Sequence, residues 1–167
     1  KPAEQTPLTA ALAIELLHRA GVPPEVLHFV PGPGRTIGSA LVVDRRTAGV
    51  VFTGSTEVAR GLAKTLANRE GPIVPLIAET GGQNAMIVDS SALPEQVVRD
   101  TVISAFQSAG QRCSALRVLF VQQDIAPKLT AMLAGAMDEL AVGDPSLLST
   151  DVGPVIDKDA KAMLEKH

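Results

Sequence analysis

The only cysteine of the chain, Cys113, lies in the run Gly110-Gln111-Arg112-Cys113-Ser114, and a carboxylate, Glu79, lies upstream in Ala78-Glu79-Thr80-Gly81-Gly82-Gln83-Asn84. A thiol attacks a carbonyl carbon only as thiolate, and the acylated sulfur is then freed by a water that a base has activated. A cysteine among glycine-flanked backbone N–H groups, with Arg112 beside it, supplies the first half of such chemistry. A glutamate set before a glycine pair supplies the second. On residue type alone, a lone cysteine is more often a small buried hydrophobe than a nucleophile, so both readings of Cys113 stay open. His18, His28 and His167 share no ligand spacing, and no metal site is expected.

The elements that must carry these residues follow from periodicity. Pro7, with Thr6 as a possible cap, opens a run in which Leu8, Leu12, Leu16 and Leu17 recur at helical spacing, giving a helix over about 7–20 before Gly21-Val22-Pro23-Pro24. Val26 to Val30 reads as a buried strand. Pro31-Gly32-Pro33-Gly34-Arg35-Thr36-Ile37-Gly38 then leads into a helix over about 36–43. Its Gly-x-Gly-x-x-x-Gly spacing is one residue longer than the usual dinucleotide fingerprint and serves either close approach to a phosphate or a tight turn. Asp44-Arg45-Arg46 reads as a solvated turn, and Ala48 to Phe52 as the next strand. The loop Thr53-Gly54-Ser55-Thr56-Glu57 starts a helix over about 56–69. There Ser55 either caps the helix or stands where free N–H groups would meet a pyrophosphate. Ile73 to Ala78 is a third strand, ending at Glu79.

Strands alternating with helices in this way predict a parallel α/β layer with ligand loops at the carboxyl ends of its strands, where Lys1, Gly32, Ser55 and Glu79 all fall. Beyond the glycine pair come a short strand, Ala85 to Val88, and a helix over about 94–109 that breaks at Gly110. A strand from Leu116 to Val121, a helix over about 124–140, a loop-rich tail and a helix starting near Asp157 complete the chain. No repeat or low-complexity tract is present.

The totals exclude several classes. With 167 residues, 46% of them hydrophobic, the chain can bury the core of one or two small units. A net charge of -3 and four Phe as the only aromatic residues leave neither a basic field nor a stacking platform for nucleic acid. One cysteine forms no internal disulfide, no apolar run approaches the roughly 18 residues of a membrane span, and no basic-then-apolar leader is present. A reducing cytoplasm is therefore expected. The start at Lys1, in mid-motif, reads as a fragment of a longer domain.

Taken in order, these motifs resemble the aldehyde dehydrogenase superfamily, most members of which carry Leu-Glu-Leu-Gly-Gly at the glutamate. The version here, Ala-Glu-Thr-Gly-Gly-Gln-Asn followed by Gly-Gln-Arg-Cys-Ser-Ala-Leu-Arg, resembles the L-glutamate γ-semialdehyde (pyrroline-5-carboxylate) dehydrogenase domain of bacterial proline utilisation A. The likeness runs from Lys1-Pro2-Ala3-Glu4-Gln5-Thr6-Pro7 to Gly153-Pro154-Val155-Ile156-Asp157. It implies a Rossmann-like NAD-binding part over 1–80 and the first part of an α/β catalytic domain over 81–167.

The resemblance also implies the roles. Cys113 would attack the aldehyde, its N–H would help hold the oxyanion, and Glu79 would activate the deacylating water. Lys1 and Glu4 would contact the adenosine ribose of NAD, with Glu4 repelling the extra phosphate of NADP. Gly32, Gly54 and Ser55 would lie along the cofactor, Ser55 at the pyrophosphate, and Ser114 would bind the substrate carboxylate. Many relatives carry Gly where this chain has Ala59. The family's oxyanion asparagine and its later NAD-ribose acid lie outside the motifs present, so the fragment alone is expected to be inactive. The implied parent is a homo-oligomer that can carry a flavin-dependent (FAD) proline dehydrogenase domain, sometimes a DNA-binding domain, and can associate peripherally with membranes. A non-catalytic dinucleotide-binding module, with Cys113 buried and Glu79 capping a helix, and a dehydrogenase for another aldehyde are the alternatives. A coenzyme A-acylating enzyme would lack Glu79.

Overall fold

In the computed structural model, which describes residues 1–167, Pro7 opens α1 (Pro7–Arg19) at the position where a missing N–H costs nothing. Thr6 makes no side-chain cap, so the proline alone marks this start. Gly21, whose N–H donates to the His18 carbonyl at 3.0 Å, ends the helix with φ 102°. A ring nitrogen of His18 lies 3.0 Å from the Leu27 carbonyl and ties the next segment back to α1.

The strand expected over Val26 to Val30 does not form. Its composition suits a strand, but β structure also needs a neighbour to pair the backbone N–H and C=O groups, and no ladder reaches this run. The helix expected over about 36–43 opens instead as a wide turn, Gly34–Gly38, and becomes regular only in α2 (Ser39–Val43). The two strands that do pair here, β1 (Val50–Thr53) and β2 (Leu76–Glu79), run parallel, with Val50 opposite Leu76 and Thr53 opposite Glu79. They are joined through α3 (Thr56–Asn68).

Val42 of α2 and Ala59 of α3 are the buried residues of this half, and the small side chain at 59 lets the two helices meet closely. Arg69, just past α3, donates to the carbonyls of Asp44 at 2.8 Å, Thr47 at 3.0 Å and Val42 at 3.4 Å. One guanidinium thus collects three carbonyls at and just beyond the end of α2. Asp44-Arg45-Arg46 is the solvated turn expected from sequence, with the Arg46 guanidinium on the Asp44 carboxylate at 2.7 Å and Arg45 paired with Glu70.

The chain divides into two compact units, Lys1–Thr80 and Gly81–His167. In the second, β3 (Asn84–Val88) and β4 (Leu116–Val121) form another two-stranded parallel sheet, bridged by α4 (Pro94–Phe106) and followed by α5 (Ala126–Asp138). Val88, Val97 and Leu129 form its core, with Met86, Val98, Leu119, Val121 and Ile125 packed around them. Burial of one such side chain stabilises by about 1.5–3 kcal/mol, so this cluster fixes how α4 and α5 sit on the sheet. The buried Thr101 hydroxyl lies 3.7 Å from the Met86 sulfur. The expected last helix is α6 (Lys158–Lys166), capped by the Asp157 carboxylate, which accepts from the Ala160 N–H at 2.8 Å. No helix is long and apolar enough to cross a membrane.

The helix expected over about 94–109 stops at Phe106. Ser108, Ala109 and Gly110 take φ of 57°, 53° and 66°, three consecutive left-handed residues that no right-handed helix can absorb. This turn delivers the chain to Cys113.

Candidate active site

In the first unit a cavity of about 500 Å³ opens beside β1, walled by Lys1, Gly34, Leu41, Val42, Val51 and Thr53, with Phe52 and Leu62 completing its apolar side. The exposed Lys1 ammonium donates to the Pro2 carbonyl at 2.7 Å. Glu4 accepts from the Gly34 N–H at 2.6 Å, a charge-assisted bond that fastens the opening loop to the glycine-proline turn. Glu4 and Gly32 line a smaller cavity of about 300 Å³, and Gly32 holds φ 133°.

Gly54 and Ser55 lie outside both linings, at the start of α3. The Gly54 N–H extends the ladder by donating to the Glu79 carbonyl at 3.1 Å. A Cβ at this position would run into the Phe52 ring, which lines the larger cavity. Ser55 Oγ accepts from the Val58 N–H at 3.2 Å, so the hydroxyl serves as the helix cap, one of the two uses open from sequence. Glu79 closes β2 and is exposed, and its carboxylate makes no hydrogen bond within the chain.

In the second unit Cys113 is exposed and free, on a turn in which the Ala115 N–H donates to the Arg112 carbonyl at 3.1 Å. Ser114 is exposed beside it. The N–H groups of Cys113 and Ser114 donate to no group of the chain, which leaves them available to an oxyanion or thiolate.

Four side chains brace this turn. Arg117 donates to the Gly110 carbonyl at 2.7 Å, and Arg112 to the Ile103 carbonyl at 3.3 Å. Gln111 donates to the Ser108 carbonyl at 3.0 Å and accepts from the Ile156 N–H at 2.7 Å, linking the left-handed turn to the tail. Asn84 donates to the carbonyls of Cys113 at 2.7 Å and Ala115 at 2.9 Å. A register shift helps: Asn84 pairs with Leu116 and Ala85 with Val118, so Arg117 is an extra residue in β4, and such bulges redirect side chains. Gly110 is required on two counts, its positive φ and a Cβ that would stand 2.8 Å from the Ala105 carbonyl oxygen.

Sequence reasoning singled out Cys113 and Ser114 and passed over Asn84, Gln111 and Arg117 as actors. Asn84 stood in the glycine-pair motif without a partner, and nothing in sequence spacing shows that a side chain at 84 meets carbonyls at 113 and 115.

The aldehyde dehydrogenase family model matches residues 1–167. The chain belongs to the aldehyde dehydrogenase family. Over 170 residues it is 60% identical to the bifunctional protein PutA of Escherichia coli (strain K12), a match covering all of this chain and 13% of that protein. It is 37% identical over 163 residues to the 1-pyrroline-5-carboxylate dehydrogenase of Geobacillus kaustophilus, covering 96% of this chain and 32% of that one. Among solved structures, a 1-pyrroline-5-carboxylate dehydrogenase from Thermus with bound NAD superimposes with a TM-score of 0.91 at 31% identity, over 99% of this chain and 32% of that one. The fold is thus the Rossmann-like α/β fold of this family. The chain spans about an eighth (13%) of the length of the PutA relatives it matches.

Proposed function

We propose that this chain is the segment of an NAD-dependent aldehyde dehydrogenase that carries the nucleophile and the deacylating base, and that the parent oxidises L-glutamate γ-semialdehyde to L-glutamate in proline catabolism. The observation that carries this reading is the exposed Cys113 on a braced turn whose N–H groups are free, in a family member closely similar to PutA.

The first unit fits the cofactor on its own chemistry. The apolar wall of Leu41, Val42 and Leu62 suits an adenine, the Lys1 ammonium suits ribose oxygens, and a cavity of about 500 Å³ is within the usual range for a small-molecule site. Glu4, held at Gly34, sets a negative charge against the added phosphate of NADP. Gly32, Gly54 and Ser55 belong to the loops around the phosphates in this reading, with the start of α3 contributing its dipole. When bound, NAD accepts a hydride from the substrate carbon.

Cys113 Sγ, as thiolate, forms a bond to the aldehyde carbon, and the electron pair of the C=O moves to an oxyanion that the Cys113 N–H stabilises. Two electrons and one hydrogen leave the carbon as hydride, and a thioester remains on sulfur. Glu79 takes a proton from water, the hydroxide oxygen attacks the thioester carbon, and the C–S bond breaks to release carboxylate and thiolate. Ser114 is assigned to the carboxylate end of the substrate.

The non-catalytic module is the weaker reading, because it needs Cys113 buried and Glu79 as a cap, whereas Cys113 is exposed and Ser55 and Asp157 are the side chains that cap helices. The full-length parent is proposed to be a cytoplasmic homo-oligomer, peripheral to the membrane where it associates with one, joined to an FAD-dependent proline dehydrogenase domain as in the bifunctional relatives. Calorimetric titration of the chain with NAD and NADP tests the cofactor half. Saturable NAD binding, about tenfold or more tighter than NADP and levelled by Glu4→Gln, is expected. Equal affinity for the two, or none, contradicts it.

A further inference from the structure

We propose that Asn84 is a positioning residue that holds the nucleophile turn shut, a role that rests on Cys113 being the nucleophile. A single side-chain amide spends both of its N–H groups on this turn, one on the Cys113 carbonyl at 2.7 Å and one on the Ala115 carbonyl at 2.9 Å. The Ala115 N–H closes the same turn on Arg112 at 3.1 Å, so the carbonyls on either side of Ser114 are pinned. The Cys113 carbonyl held by Asn84 fixes the peptide plane of the free Ser114 N–H, and the Arg112 carbonyl held by the Ala115 N–H fixes that of the free Cys113 N–H. That is what a preorganised oxyanion site requires.

The anchor is as well placed as the clamp. Asn84 is the first residue of β3, half-buried and paired with Leu116 of β4, so its backbone is fixed by the ladder that ends at the core residue Val88. Ala115 is fully buried, which lets the turn pivot only at Cys113 and Ser114. The clamp crosses 29 and 31 residues of sequence, and no other side chain donates to these two carbonyls. The acceptors are neutral carbonyls, so the amide donates where a carboxylate could only repel.

The experiment is site-resolved hydrogen exchange of the 167-residue chain at the Ala115 N–H, with the strand amides of β4 as internal reference, in the native chain, Asn84→Ala and Asn84→Asp. Both variants are expected to exchange at Ala115 about tenfold or more faster while Phe120 is unchanged. A pH series separates a donor from a mere packing role. The neutral carboxyl of Asn84→Asp can donate one bond, so its Ala115 protection should recover in part as pH falls from about 7 to about 4, close to the ordinary Asp value of about 3.9, and Asn84→Ala should show no recovery. Unchanged Ala115 exchange in both variants, acceleration shared equally with Phe120, or no recovery in Asn84→Asp would overturn the clamp. Iodoacetamide labelling of Cys113 in the same samples keeps the two readings apart. A native Cys113 no more reactive than free cysteine would sink the nucleophile reading, while the exchange ratios still decide the clamp.

Discussion

Gly110 concentrates the constraint on the turn that leads to Cys113. Two residues without a glycine's freedom, Ser108 and Ala109, precede it in the left-handed region at about 1–2 kcal/mol each, and the turn is retained because Arg117 and Gln111 hold the Gly110 and Ser108 carbonyls while Arg112 ties back to the Ile103 carbonyl of α4. Gly110→Ala adds a third such cost and places a Cβ 2.8 Å from the Ala105 oxygen, so it should destabilise the second unit by about 2 kcal/mol or more in urea unfolding. A loss under about 0.5 kcal/mol would show that the turn relaxes freely. At this scale the sequence exposed the chemistry better than the support. A unique cysteine after a glycine, and a glutamate before a glycine pair, are legible as types, whereas Asn84 reaching across to carbonyls 113 and 115 is a product of tertiary register. Ser55 was legible as one of two things, and its hydroxyl proves to be the cap.

Helices whose apolar residues recur every three or four positions were readable within a few residues: α1, α3, α4 and α5 all lie where periodicity puts them. The departures from that pattern have separate causes. The run over Val26 to Val30 has strand composition without a ladder partner, and α4 ends a few residues before Gly110 because Ser108 and Ala109, which carry no glycine signature, are also left-handed. Aspartates hold several element ends together. The Arg46 guanidinium keeps the Asp44 carboxyl below its ordinary range, the Ser91 hydroxyl does so for Asp89, and the Ser146 N–H for Asp144. A carboxyl held low in the fold stabilises it above the unfolded value near 3.8, and that contribution is lost as pH falls through the lower folded value. Thermal stability should therefore be flat down to about pH 5 and decline below about pH 4, with the Asp44 share reduced by salt because the pair is exposed. A melting temperature unchanged from pH 5 to pH 3 would remove these turns from the account.

Each unit presents one bare sheet face. Val51 is 78% exposed opposite Ile77 at 54%, and Ile87 is 83% exposed opposite Phe120 at 57%. Parallel sheets are normally covered on both faces, and these apolar cross-strand pairs have the composition of covered strands. The residues proposed for the chemistry lie at the ends of the same strands: Glu79 closes β2, and the Cys113 turn feeds β4 beside Asn84. The central proposal, that Cys113 is the activated nucleophile of an NAD-dependent enzyme, is tested most directly by the alkylation of this single thiol. Iodoacetamide labelling at neutral pH, with and without saturating NAD, should proceed faster than for free cysteine and change in rate when NAD is added. Labelling no faster than free cysteine and indifferent to NAD would contradict the claim.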